Sequence, residues 1–98
     1  MSRVRVWAGV DVDVLRALRD GAPLADGLVA AESDDEGHEY EALLAAAEDG
    51  PVVVVAEVAE GADVTMADVE ALHVDADGSG DLAWFAPQEV DAVLDVLA

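Results

Sequence analysis

The chain has 98 residues, no cysteine and no lysine, and 4 arginines stand against 23 acidic residues for a formal charge of −19. This composition excludes disulfides, thiolate metal sites and cysteine nucleophiles. It also argues against nucleic acid and anionic membranes as partners, since both need clustered Lys and Arg.

The length suits one α/β domain over 1–98. Alanine and valine supply most of the 54% hydrophobic fraction and aromatics are 4%, so the core is expected to be assembled from small side chains. The opening MSRVRVWAGV does not read as a signal peptide, because its arginines interrupt the apolar residues. No run reaches the ~18–20 apolar residues of a membrane span, and the cytoplasm is the expected location.

Arg3–Val10 alternates, with Val4 and Val6 against Arg5 and Trp7, and predicts a strand. Asp11 then caps a helix with Val14, Leu15 and Leu18 as its stripe. Val10 and Leu15 occupy the positions of a hydrophobic staple. Gly21 and Pro23 stop this helix. Leu28-Val29-Ala30-Ala31 predicts a short second strand. The acidic run Ser33-Asp34-Asp35-Glu36 opens a second helix, whose stripe reads Tyr40, Leu43, Leu44 and Ala47.

Gly50-Pro51 ends that helix and leads into Val52-Val53-Val54-Val55. Four consecutive β-branched residues predict a strand buried on both faces, with helices covering the sheet above and below. A helix running directly into such a strand is the second half of a βαβ crossover. Thr65-Met66-Ala67-Asp68 has the form of a capping box. Ala71–Asp75 alternates as a strand, with Leu72 and Val74 on one face and His73 on the other. Leu82–Phe85 predicts another strand, with Trp84 and Phe85 on opposite faces; both read as core, against the alternative that one is exposed and marks a contact patch. Pro87 starts a last helix with Val90, Val93, Leu94 and Leu97 inward and Asp91 and Asp95 outward. The expected architecture is α/β: a mixed sheet of about four or five strands with three helices.

The segments RVRVWAGVDVDVLRALRDG, EYEALLAAAE, VVVVAEV, VEALHVDAD and LAWFAPQEVDAVL, in this order and spacing, resemble a family of small uncharacterised actinobacterial proteins known only as a domain of unknown function. The likeness runs over most of the chain, which is shorter than that family's members between Gly21 and Ser33 and after Val58. The resemblance implies an actinobacterial, cytoplasmic protein with no established activity, and supplies no functional residue.

The strongest motif-like stretch is DADGSGDLAWFA, from Asp75 to Ala86. Against an EF-hand loop, Asp75, Asp77 and Ser79 fall at ligand positions one, three and five, and Gly80 at the sharp turn. Asp81 falls at the backbone-carbonyl position. Position twelve is Ala86, where calcium needs a bidentate glutamate, so the competing reading is a polar hairpin turn. His38 in GHEYEA fails the zinc-protease pattern, because Ala42 stands where the second histidine belongs. His38 with Glu39 or Glu41, or His73 in a cleft, would suit acid–base chemistry, while the plainer reading leaves both as surface residues. Tyr40, at helical spacing with Leu43 and Leu44, reads as core. No phosphate loop, dinucleotide fingerprint or nucleophile elbow is present.

Three functional readings follow. The first is a non-enzymatic interaction module whose acidic surface meets a basic protein partner, against the plainer view that the charge only confers solubility. The second is a divalent-cation (Ca2+) binder through Asp75, Asp77, Ser79 and Asp81. The third is an enzyme using His38 or His73.

Overall fold

The computed structural model describes residues 3–31, 33, 35–75 and 82–97. The strands are β1 (Arg3–Val10), β2 (Val29–Ala30), β3 (Val52–Ala59), β4 (Val69–Val74) and β5 (Ala83–Phe85). The helices are α1 (Val12–Arg19), α2 (Glu36–Ala47) and α3 (Val90–Leu97). The five strands form one sheet in the order β2-β1-β3-β4-β5. The α/β class and the expected numbers of strands and helices hold.

Every neighbouring pair of strands is antiparallel, so the sheet is not mixed in its hydrogen bonding. The expected crossover exists in split form. β2 and β3 each run antiparallel to β1, which makes them parallel to one another with β1 between them. α2 connects the two. The eight-residue pairing of β1 with β3, from Arg3–Ala59 to Val10–Val52, is the spine of the sheet.

The valine run is buried on both faces, as its composition dictates. Val52, Val54, Ala56 and Val58 join Val6, Ala8 and Val10 on one face, under Leu15 and Leu18 of α1 and Val90, Val93 and Leu94 of α3. Val53 and Val55 join Trp7 and Ala71 on the other, under Ala42 and Ala46 of α2. α1 begins as its sequence requires, with the Asp11 carboxylate accepting the Val14 amide at 2.9 Å. Arg19 of α1 bridges to Asp91 of α3 at 3.0 Å and ties the two helices together.

β4 carries an irregularity that alternation does not anticipate. Val55 pairs with Ala71 but Ala56 pairs with Val69, so Glu70 is an extra residue. The bulge lets Val69 and Leu72 face the two-helix side while Ala71 faces α2.

α2 is rotated relative to its predicted stripe. It buries Ala42 and Ala46, with Leu43 and Ala47 only partly covered, and leaves Tyr40 60% and Leu44 45% exposed. The cause lies on β1. A methyl group built on Gly9 would overlap the carbonyl oxygen of Ala46 and lie 2.9 Å from its carbonyl carbon. The helix backbone therefore rests almost directly on the strand, and only small residues fit between them. The turn after α2 is equally close: a methyl on Gly50 would lie 2.6 Å from the carbonyl carbon and 2.7 Å from the nitrogen of Val10.

Candidate functional site

The two faces of the sheet are unequally covered. Five strands at a spacing of about 4.8 Å span roughly 19 Å. A helix with its side chains is about 10–12 Å across. α1 and α3 together match the width of their face. α2 alone covers about half of the other, and it lies over β1, β2 and β3. Among the described residues, α2 reaches Ala71 of β4 but leaves the outer part of that face, at His73 and Trp84, less covered.

On this less covered part, β4 and β5 bring His73 and Trp84 directly opposite one another. Side chains at opposed positions share a face with their Cβ atoms about 5 Å apart. Trp84 is 61% exposed, so of the two aromatics expected in the core only Phe85 packs against it. Tyr40, also expected as core, stands on the flank of α2 above the same surface. Between helix and strands lies an open cleft of about 330 Å³, with Trp7 and Val55 in its lining and Tyr40, His73, Arg5 and Glu70 around it.

The charges of the cleft are three carboxylates to one guanidinium. Glu36 and Glu39 come from the first turn of α2, where the helix dipole favours anions, and Glu70 comes from the bulge. Arg5 meets Glu39 at 3.1 Å and Glu70 at 3.4 Å. Even so, the Glu70 carboxyl is held above its ordinary range. Partial desolvation of this otherwise exposed side chain is the main cause, a hydrogen bond with Glu57 adds to it, and Arg5 only partly offsets the two. His73 is half-buried, and that burial alone pushes its pKa below the ordinary value. No carboxylate contributes to the shift, so the described residues do not join His73 to an acid–base partner.

His38 lies at the start of α2, where its Nδ1 is 2.6 Å from the Ser33 hydroxyl. The same hydroxyl accepts the Asp35 amide at 3.1 Å, and the Asp35 carboxylate accepts the Gly37 amide at 2.8 Å. This chain of contacts closes the helix N-terminus, and His38 does not line the cleft with His73. The Ser33 contact was not readable from spacing, because it depends on how the chain enters the helix.

Of the four residues considered for calcium, Asp77, Ser79 and Asp81 lie outside the described residues. Asp75 closes β4, with its amide donating to the Pro51 carbonyl at 3.3 Å. The flanking residues form an antiparallel hairpin, Val74 opposite Ala83, where an EF-hand would have two helices. Glu89, the nearest substitute for a twelfth ligand, instead accepts the Ala86 amide at 2.9 Å to cap the last helical segment. Among the described residues no group of three or more His, Asp or Glu side chains is placed to hold a metal ion. Among them, too, no helix is long and apolar enough to cross a membrane.

The remaining arginines are engaged like Arg5. Arg3 meets Glu57 at 3.6 Å, Arg16 meets Asp13 at 3.1 Å, and Arg19 meets Asp20 and Asp91, each at 3.0 Å. Each of the four cations is thus already matched locally, and the large excess of carboxylates has no basic side chain left to neutralise it. No family model, curated protein or solved structure matches this chain.

Proposed function

We propose that this protein is a non-enzymatic interaction module that binds a basic protein partner. The observation that carries the reading is the charge arrangement: a net −19 in which all four arginines are already held by their own carboxylates. A surface of one sign steers partners of the opposite sign and repels nucleic acid and anionic membranes. Solubility alone would account for the charge, but it would not call for aromatic side chains standing in solvent beside it, as Tyr40 and Trp84 do.

The test is a titration of the purified protein with oligo-arginine and oligo-glutamate peptides of equal length at low and high salt. The expected result is saturable binding of the basic peptide only, weakening steeply as the screening length falls from about 10 Å at 0.1 M to about 3 Å at 1 M salt. Equal binding of both peptides, or binding of the basic one that is undiminished at 1 M salt, refutes the proposal.

A further inference from the structure

We infer that the cleft between α2 and the sheet, with the exposed Trp84 beside its His73 wall, is where the basic partner docks, an arginine or lysine of a partner segment being seated against Tyr40. This rests on the reading just given and adds a place and a mode of contact to it. Three features converge on the cleft. It lies along the side of α2 that faces the less covered part of the sheet, with β1, β3 and β4 as its floor. Tyr40 stands exposed in its lining, and Trp84 stands exposed outside that lining, across the β4–β5 ladder from His73. The rim of the cleft carries Glu36, Glu39 and Glu70 against Arg5 alone.

Charge complementarity selects the occupant. An acidic or neutral apolar segment would desolvate a cluster in which one arginine is shared by Glu39 and Glu70 and Glu36 lies beside them, and would add nothing to offset its excess negative charge. A second copy of this chain would bring another −19 to the contact. A cationic side chain satisfies both parts of the surface at once. Its charge meets the Tyr40 ring as a cation–π contact, and its N–H groups meet Glu36 and Glu39 as charge-assisted hydrogen bonds. Arg5 shows that these carboxylates hold a guanidinium, since it already spans Glu39 and Glu70.

The experiment is titration of wild type and variants with a fluorescein-labelled octa-arginine peptide, read by anisotropy at 50 mM salt. Trp84→Ala and Tyr40→Ala remove exposed side chains, and thermal melting establishes that each variant is folded. Each is expected to weaken binding roughly two- to fivefold, and the double variant about tenfold. Glu36→Gln is expected to weaken it more than Asp95→Asn, which makes the same charge change on α3, on the opposite face. If all four single variants bind as wild type does, the attraction is spread over the whole surface and the cleft is not the site, while the basic-partner reading stands. If wild type does not bind octa-arginine, the reading itself falls.

Discussion

Gly9→Ala tests the packing that places the cleft. A methyl there would overlap the Ala46 carbonyl oxygen and stand 2.9 Å from its carbonyl carbon and 3.0 Å from the Asp49 Cβ. Carbon atoms sit comfortably at about 3.5–4.0 Å, so α2 must lift off β1 by roughly 0.5–1 Å. Rotating a side chain cannot relieve the overlap, because the obstacle is backbone. Overpacking of this kind costs about 1–3 kcal/mol, against which the stiffer unfolded chain returns about 0.4–1 kcal/mol. At the middle of both ranges the net loss is about 1.3 kcal/mol. For a domain of this size each kcal/mol moves Tm by about 4–8 °C, so a fall of roughly 5–10 °C is expected. Differential scanning calorimetry at fixed pH and salt measures it directly. A midpoint within about 2 °C of wild type would show that α2 does not rest on Gly9 and that the explanation for its rotation is wrong.

Leu72 is wholly buried at the centre of β4, and Leu72→Ala should cost about 2–5 kcal/mol, seen as a lower urea midpoint with an unchanged slope. Glu70 has a folded-state pKa raised above 4.5. The folded chain therefore holds its proton more tightly, and the stability this brings is present below 4.5 and lost as pH rises through the folded value. Glu70→Gln should thus melt higher than wild type at pH 7 and equal to it below pH 4; a lower Tm at pH 7 would mean that the Arg5 pair dominates. His73 has a folded-state pKa below 6.5, so its contribution is complete above 6.5 and lost as pH falls through the folded value. Wild type should lose stability on acidification below 6.5 by a step that His73→Gln lacks; parallel pH profiles would show that His73 is not desolvated. Arg5, Glu36, Glu39 and Glu70 are the other charged groups that line its cleft.

Much of the fold is legible where a single segment carries its own instruction. Val52–Val55 announces a strand buried on both faces because no polar position interrupts it. Asp11 announces the start of α1, and Val90, Val93 and Leu94 announce the inward side of α3. The failures share a different cause, in that the deciding residue lies on another element. The apolar pattern of α2 points Tyr40 and Leu44 inward, but Gly9, far away in sequence, brings the strand so close that Ala42 and Ala46 are buried in their place. Alternation through β4 would give Val69 and Ala71 one face, but the extra residue at Glu70 separates them. Trp84 reads as core by its character alone, and nothing local reveals that its side of the sheet is thinly covered.

The thinly covered part of that face is nevertheless implied by a count that the sequence permits. Three helices and a five-stranded sheet with both faces apolar cannot give equal cover, because each face needs about two helices to match its width. One face must fall short by a helix. Which face it is depends on where the connections run. α1 and α3 follow β1 and β5 onto the same side, and α2 is left alone on the other. Nor can α2 move to the middle of its face to share the exposure. Its Ala46 backbone is seated on Gly9 of β1, and the Gly50 turn that follows it is pressed against Val10. The shortfall is therefore concentrated over β4 and β5, where Trp84 and His73 stand. A solitary exposed aromatic needs no explanation. Here Tyr40 lines a cleft and Trp84 stands across the β4–β5 ladder from its His73, on a face that no further helix covers among the described residues, and the carboxylates of the cleft outnumber Arg5 three to one. That coincidence of thin cover, aromatic side chains and excess negative charge makes this cleft, rather than the acidic surface at large, the place to test the proposed basic partner.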